Sequence, residues 1–187
     1  VNGTTSGNLA MILATCHSED KVLVQRNSHK SIFNGLRLSG AHPIFLTPEI
    51  DNMTMIPTGV NEATLDKALQ HFPEARVLIL TYPNYYGMAY DYQSVINKAH
   101  DNGLLVLVDE AHGAHFGIGE DIPNSTLKMG ADIVVQSAHK MLPAMTMGSF
   151  LHINSEQINI AQVEKYLSII QTSSPSYPIM ASLDLAR

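Results

Sequence analysis

Six short runs in this chain are apolar and rich in β-branched residues: Val22 to Gln25, Pro43 to Thr47, Val77 to Thr81, Leu104 to Val108, Ile133 to Gln136 and Ser149 to Ile153. A strand that alternates apolar with polar residues wets one face, whereas runs such as these must be covered on both. The segments between them repeat their apolar residues at helical spacing, over Asn8 to Cys16, Ser31 to Leu38, Asn61 to His71 and Tyr92 to His100. Helices placed between successive strands supply the two covers, so the pattern predicts an α/β fold built on a mostly parallel, doubly wound sheet. Asn61 and Asp91 are expected to cap their helices, and Asn102-Gly103 reads as a helix stop. A final helix is expected from Ser155 to Gln171, broken by the Ser/Pro-rich segment Thr172 to Pro178 and followed by a helix-like stretch Ile179 to Leu185.

The chain has 187 residues, 45% of them hydrophobic and 15% charged, which suits one globular domain rather than a disordered or fibrous chain. Its 11 Lys and Arg against 17 Asp and Glu give a formal net charge of −6, with the cations nowhere clustered. A nucleic-acid partner is therefore not expected. No apolar run approaches the roughly 20 residues of a membrane span, and the single cysteine, Cys16, reads as a small core residue. One cysteine and no leader pattern suit a cytoplasmic chain. The opening without Met and the closing apolar stretch suggest the interior of something longer. Residues 1–171 are expected to form a large domain incomplete at its N-terminus, and 172–187 a connector toward a further domain.

Ligands of open α/β sheets bind beyond the carboxyl ends of the strands, so the residues that follow each strand carry the interest. Asp109-Glu110-Ala111-His112 follows Leu104 to Val108, and Ser137-Ala138-His139-Lys140 follows Ile133 to Gln136. Gly3-Thr4-Thr5-Ser6-Gly7-Asn8 leads into the first helix, where backbone N–H groups, hydroxyls and the helix dipole would favour a phosphate. Asp-Glu-Ala-His after a strand is also the spelling of a helicase nucleotide motif, but no Gly-Lys-Ser/Thr loop accompanies it. His112 and His115 lack a third ligand nearby in sequence, so no metal is expected. Lys140, after a strand without charge, is expected to lose solvation and act as a nucleophile toward carbonyls, with Asp109 a buried carboxylate awaiting a cation.

These motifs, together with Arg26-Asn27-Ser28-His29-Lys30-Ser31, Tyr85-Tyr86-Gly87 and Thr172-Ser173-Ser174-Pro175-Ser176-Tyr177-Pro178, resemble the ornithine/lysine/arginine decarboxylases. That family belongs to the pyridoxal-phosphate enzymes of aspartate-aminotransferase fold, and the resemblance covers nearly the whole chain. It implies that Lys140 binds the cofactor aldehyde and Asp109 pairs with the protonated ring nitrogen. His29 would stack on one face of the ring and Ala111 on the other. Thr4, Thr5, Ser6, Ser137 and His139 would surround the phosphate or the lysine, and His112 lies where some members carry an aromatic residue. The resemblance further implies a basic amino acid substrate, with His139 or Lys140 returning a proton to the α-carbon, and a site at a homodimer interface. The same fold and the same Asp/Lys pair also serve aminotransferases, carbon–sulfur lyases and acyl-CoA-condensing synthases, and a non-catalytic fragment would keep the motifs as well.

Overall fold

The computed structural model describes residues 1–187. Its elements alternate as the apolar runs require: α1 (Gly3–Thr15), β1 (Lys21–Gln25), α2 (Lys30–Ser39), β2 (His42–Leu46), α3 (Glu62–His71), β3 (Val77–Thr81), α4 (Gln93–Asp101), β4 (Leu105–Asp109), β5 (Ile133–Gln136), α5 (Ala138–Met141), β6 (Phe150–Ile153), α6 (Ile160–Ile170) and α7 (Tyr177–Ala186). One six-stranded sheet runs in the order β2-β1-β3-β4-β5-β6. All neighbours are parallel except β5 and β6, which are antiparallel. From β1 the chain steps outward to β2 and then returns to the other side of β1 at β3. That reversal makes β1/β3 the switch point where loops part and leave a crevice.

Alternate side chains of the strands feed two cores. Leu23, Leu78, Leu80, Val106, Val108 and Val134 face Leu65, Val95, Ile96 and Ala99 of α3 and α4. Val22, Val24, Val77, Ile79, Leu107, Ile133 and Val135 face Met11, Ile12, Ile32, Leu36 and Val163 of α1, α2 and α6. β3, β4 and β5 are dry on both sides, as their unbroken apolar runs demand. β2 is not: at the sheet edge, four of its five residues keep solvent contact, so this run was an edge strand rather than a buried one. Cys16 is a core residue, and burial pushes its thiol up to about 12.

The helix ends follow local chemistry. Asn61 Oδ1 accepts from Thr64 N–H at 2.8 Å, and the positive φ of Gly103, 74°, ends α4 one residue after Asn102. Asp91 Oδ1 accepts from Gln93 N–H, although Tyr92 occupies the cap position itself. Two helices differ from expectation. The last long helix begins at Ile160 instead of Ser155, because Ser155 turns the chain through its hydroxyl and carbonyl before Asn159 caps α6. α1 begins at Gly3, five residues before Asn8, so the Gly-Thr-Thr-Ser-Gly-Asn segment is not a turn ahead of the helix but its first two turns. Gly3 N–H, orphaned at the helix start, is taken by Met147 carbonyl at 2.7 Å, and Ser6 Oγ donates to Asn2 carbonyl.

Moving the helix start places Thr4 and Asn8, four residues apart, on the same inward face. That face can approach the sheet because residue 7 is glycine: a Cβ there would lie 2.5 Å from Val135 Cγ1. Gly7→Ala is expected to cost about 1–3 kcal/mol, the usual range for overpacking, and Val135→Ala introduced beside it should recover part of the loss. Urea unfolding of the two single variants and the double variant measures both effects.

Candidate active site

Beyond the carboxyl ends of β1, β3, β4 and β5 lies a cavity of about 670 Å3, within the usual span for small-ligand sites. α1 contributes Thr4 and Thr5, the β1–α2 loop His29 and Lys30, the β3 loop Thr81 and Tyr85, the β4 loop Asp109, Ala111 and His112, and the β5 loop Ser137, His139 and Lys140. Nine of the ten residues singled out by sequence therefore converge on one space. Ser6 does not line it; its hydroxyl is occupied within the first turn of α1.

Asp109 ends β4 and is 3% exposed. Burial pushes its carboxyl above the ordinary carboxylate range; a hydrogen bond from Asn8, the charge of His29, the Ala111 N–H and the charge of Lys140 oppose that rise. Asn8 Nδ2 donates to Oδ2 at 2.9 Å, and Ala111 N–H donates to Oδ1 at 3.2 Å. Glu110, the next residue, turns to the other side of the strand and meets a complete set of donors. Thr126 N–H and hydroxyl bond one of its oxygens, and Gln136 Nε2 bonds the other at 2.6 Å. Glu110 thus ties the β4–β5 connection to the strand ends, and Asp109 is the carboxylate that the cavity sees.

Lys140 differs from the expectation of a desolvated amine. It lies on the four-residue helix α5 at the rim of the sheet and is exposed, with Nζ 3.1 Å from His112 Nε2. Lysine donates, so Nε2 of His112 is the unprotonated nitrogen. Burial, then the charges of Lys140 and His29, hold His112 below its ordinary value, and Tyr85 meets its ring edge to face at 5.9 Å. His139 Nδ1 donates to Gly148 carbonyl at 3.1 Å, which leaves Nε2 as its free nitrogen.

Where α1 starts, Thr4 and Thr5 N–H have no carbonyl partner, since they lie in the first turn. Beside them the Thr4 hydroxyl bonds Ser137 Oγ and, at 3.2 Å, Ser149 Oγ. Free amides, hydroxyls and a helix N-terminus form a cradle for an oxyanion, and the cations Lys30 and Lys140 add attraction. The arrangement fits a ligand with a phosphate at one end, a carbonyl within reach of a lysine, and a cationic ring atom for Asp109. Asn8 and Ser31, which stand in the quoted motifs without a role of their own, and Thr81, the last residue of its strand run, also serve the site. A buried Asn at i+4 from a cavity hydroxyl was the available signal for the first.

His112 supplies a direct test of the Lys140 contact. Its folded value lies below the ordinary 6.5, so as pH falls the unfolded chain takes the proton first and the stability contributed by neutral His112 declines. Lys140→Met is expected to move the His112 titration upward, without a full return because burial persists, and to shallow that decline. NMR titration of the ring and unfolding midpoints between pH 5 and 8 read the two effects.

Over residues 1–187 the chain matches the profile of the Orn/Lys/Arg decarboxylase family, major domain. It is 60% identical over 188 residues to the protein YaaO of Bacillus subtilis (strain 168) and 40% identical over 187 residues to an arginine decarboxylase of the same organism. All of this chain is covered in both, against 39% and 38% of the relatives' own lengths, so it spans about two fifths of them. In structure it is similar to the lysine decarboxylase LdcF of Francisella novicida, with a TM-score of 0.81 and 24% identity over 99% of this chain and 27% of that one. The chain belongs to the Orn/Lys/Arg decarboxylase family, its residues 1–187 matching the family's major domain.

Proposed function

We propose that this chain is the cofactor-binding part of a pyridoxal-phosphate-dependent decarboxylase that removes carbon dioxide from a basic amino acid, lysine, arginine or ornithine. The observation that carries the reading is the convergence of Asp109 and Lys140 on one cavity, with an oxyanion cradle at its end, in a chain of this family. Thr4 and Thr5 amides, with the Ser137 hydroxyl, would hold the phosphate. Asp109 would hold a proton on the ring nitrogen, His29 and Ala111 would flank the ring, and Lys140 would bond the aldehyde. When bound, the cofactor supplies an electron sink for the charge left by departing carbon dioxide.

The protein residues do the rest. Burial of Asp109 strengthens its attraction for a ring cation and keeps water from competing. His112 Nε2 holds Lys140 Nζ on the cavity side of α5, and free Nε2 of His139 or Nζ of Lys140 would return the proton to the α-carbon. Asp109 is the one acid lining the cavity, so the carboxylate that selects a basic side chain would come from the rest of the protein or from a second copy. A cytoplasmic homodimer, with residues 172–187 as the connector to a following domain, suits that need. Polyamine-type amines would be the products.

Added pyridoxal phosphate is expected to give a yellow protein, and borohydride followed by peptide mapping to find the label on Lys140. Lys140→Ala should show neither. In the full-length enzyme, Asp109→Asn should lower turnover by about two orders of magnitude or more, the scale seen when a group that stabilises developing charge is lost. Carbon dioxide release from lysine, arginine or ornithine supports the reading, whereas a keto acid product with no carbon dioxide would assign the site to transamination.

A further inference from the structure

Asn8 and Ser31 close two of the motifs without a role of their own and do not line the cavity, yet both are buried, at 0% and 1% exposure, between α1, α2 and the end of β4. A buried amide and hydroxyl in a layer that is otherwise Met11, Ile12 and Ile32 cost stability unless their hydrogens are used. Here they are used in one direction. Asn8 Nδ2 donates one hydrogen to Asp109 Oδ2 at 2.9 Å and the other to Ser31 Oγ at 2.9 Å. Ser31 Oγ, already accepting, has its own hydrogen for His29 Nδ1 at 2.8 Å, and Ser31 N–H points to the same ring atom at 3.2 Å.

We propose that Asn8 and Ser31 are positioning residues that join Asp109 and His29 into one hydrogen-bonded unit, Asp109–Asn8–Ser31–His29, so that the carboxylate and the imidazole keep fixed orientations toward a ring held between them. This rests on the reading of the cavity as a pyridoxal-phosphate site. An ionised carboxylate accepts and never donates, so the Asn8 nitrogen, not its oxygen, must face Asp109. The Asn8 oxygen is left buried with no partner, as expected if the position is kept for its two donors and the acceptor is given up. Ser and Thr offer one donor, and Gln would carry its amide one methylene too far. At the other end, two donors converge on His29 Nδ1, so the neutral ring carries its hydrogen on Nε2, the nitrogen left for the cavity that His29 lines. Asp109 faces Asn8, the Ala111 N–H, His29 and the charge of Lys140, and of these Asn8 is the group that also reaches His29 through a side chain.

The test begins without cofactor, on the full chain. Long-range 1H–15N spectra should show His29 protonated on Nε2 in the parent protein and still so in Ser31→Ala, where the backbone N–H of residue 31 remains, but with the Nδ1 resonance moved downfield in the variant because the hydroxyl donor is gone. Carboxyl 13C titration should place Asp109 higher in Asn8→Ala than in the parent, because a donor to the ionised form is gone. With pyridoxal phosphate added, each variant should bind about tenfold more weakly, the scale of one lost charge-assisted hydrogen bond. The double variant should be no weaker than the poorer single one, since the two act in series. Unchanged Asp109 titration and an unchanged His29 Nδ1 resonance overturn the unit, and so do additive losses in the double variant. If Asn8→Ala does not fold, Ser31→Ala decides alone: a His29 Nδ1 resonance like the parent's overturns the proposal. A parent protein that binds no pyridoxal phosphate would overturn the functional reading instead, while the cofactor-free spectra still decide the unit.

Discussion

A carboxylate at the end of a fully buried parallel strand is the constraint around which this structure is arranged. β4 brings Asp109 to the crevice through an apolar layer, and that route removes most of its water. Desolvation opposes the charge, and the protein answers with groups rather than solvent: an amide from α1, a backbone N–H from its own loop, and the Lys140 cation with the His29 imidazole across the cavity. Each of those donors is there because a different element reaches the same point. Remove the sheet order or the approach of α1 and the carboxylate would be buried without partners, a cost of several kcal/mol.

Two adjacent acids show how environment divides roles. Asp109 and Glu110 are both buried, and burial raises both. Glu110 meets Thr126 and Gln136, all of them protein groups, and fastens the long connection between β4 and β5. Asp109 faces the cavity with lone pairs to spare. Successive residues at a strand end point to opposite sides, so one position becomes structure and the other becomes chemistry without any change of residue type beyond a methylene.

The close approach of α1 is the second condition. Gly7 lets the helix settle against Val135, and the same helix face then delivers Thr4 to the Ser137 and Ser149 hydroxyls and Asn8 to Asp109. A single small residue thereby governs the oxyanion cradle and the support of the carboxylate together. Lys140 is arranged on other grounds: a one-turn helix leaves it at the rim, open to solvent and held by His112.

Much of this was legible in the chain. Apolar runs marked six strands, the two-sided dryness of the central ones marked a mostly parallel sheet while β2 and the antiparallel β6 keep solvent contact, and the rule that sites lie at strand ends picked out Asp109, His112, His139 and Lys140, because periodicity is a local consequence of side-chain chemistry. Less was legible where long-range contacts compete with local signals. α1 starts at Gly3 because Met147 carbonyl, 144 positions away in sequence number, takes the orphaned N–H, and no local pattern contains that partner. β2 keeps solvent contact at four of its five residues because it ends the sheet, and strand order is a property of the whole chain. The sequence by itself determined which residue types stand at the strand ends and so what chemistry is on offer. Tertiary structure decided which of them share a cavity, that Ser6 does not, that Lys140 stays exposed, and that Asn8 and Ser31 stand behind Asp109 and His29. The physical reason is that burial and hydrogen-bond partnership are set by neighbours in space, and those neighbours come from segments tens to more than a hundred residues apart.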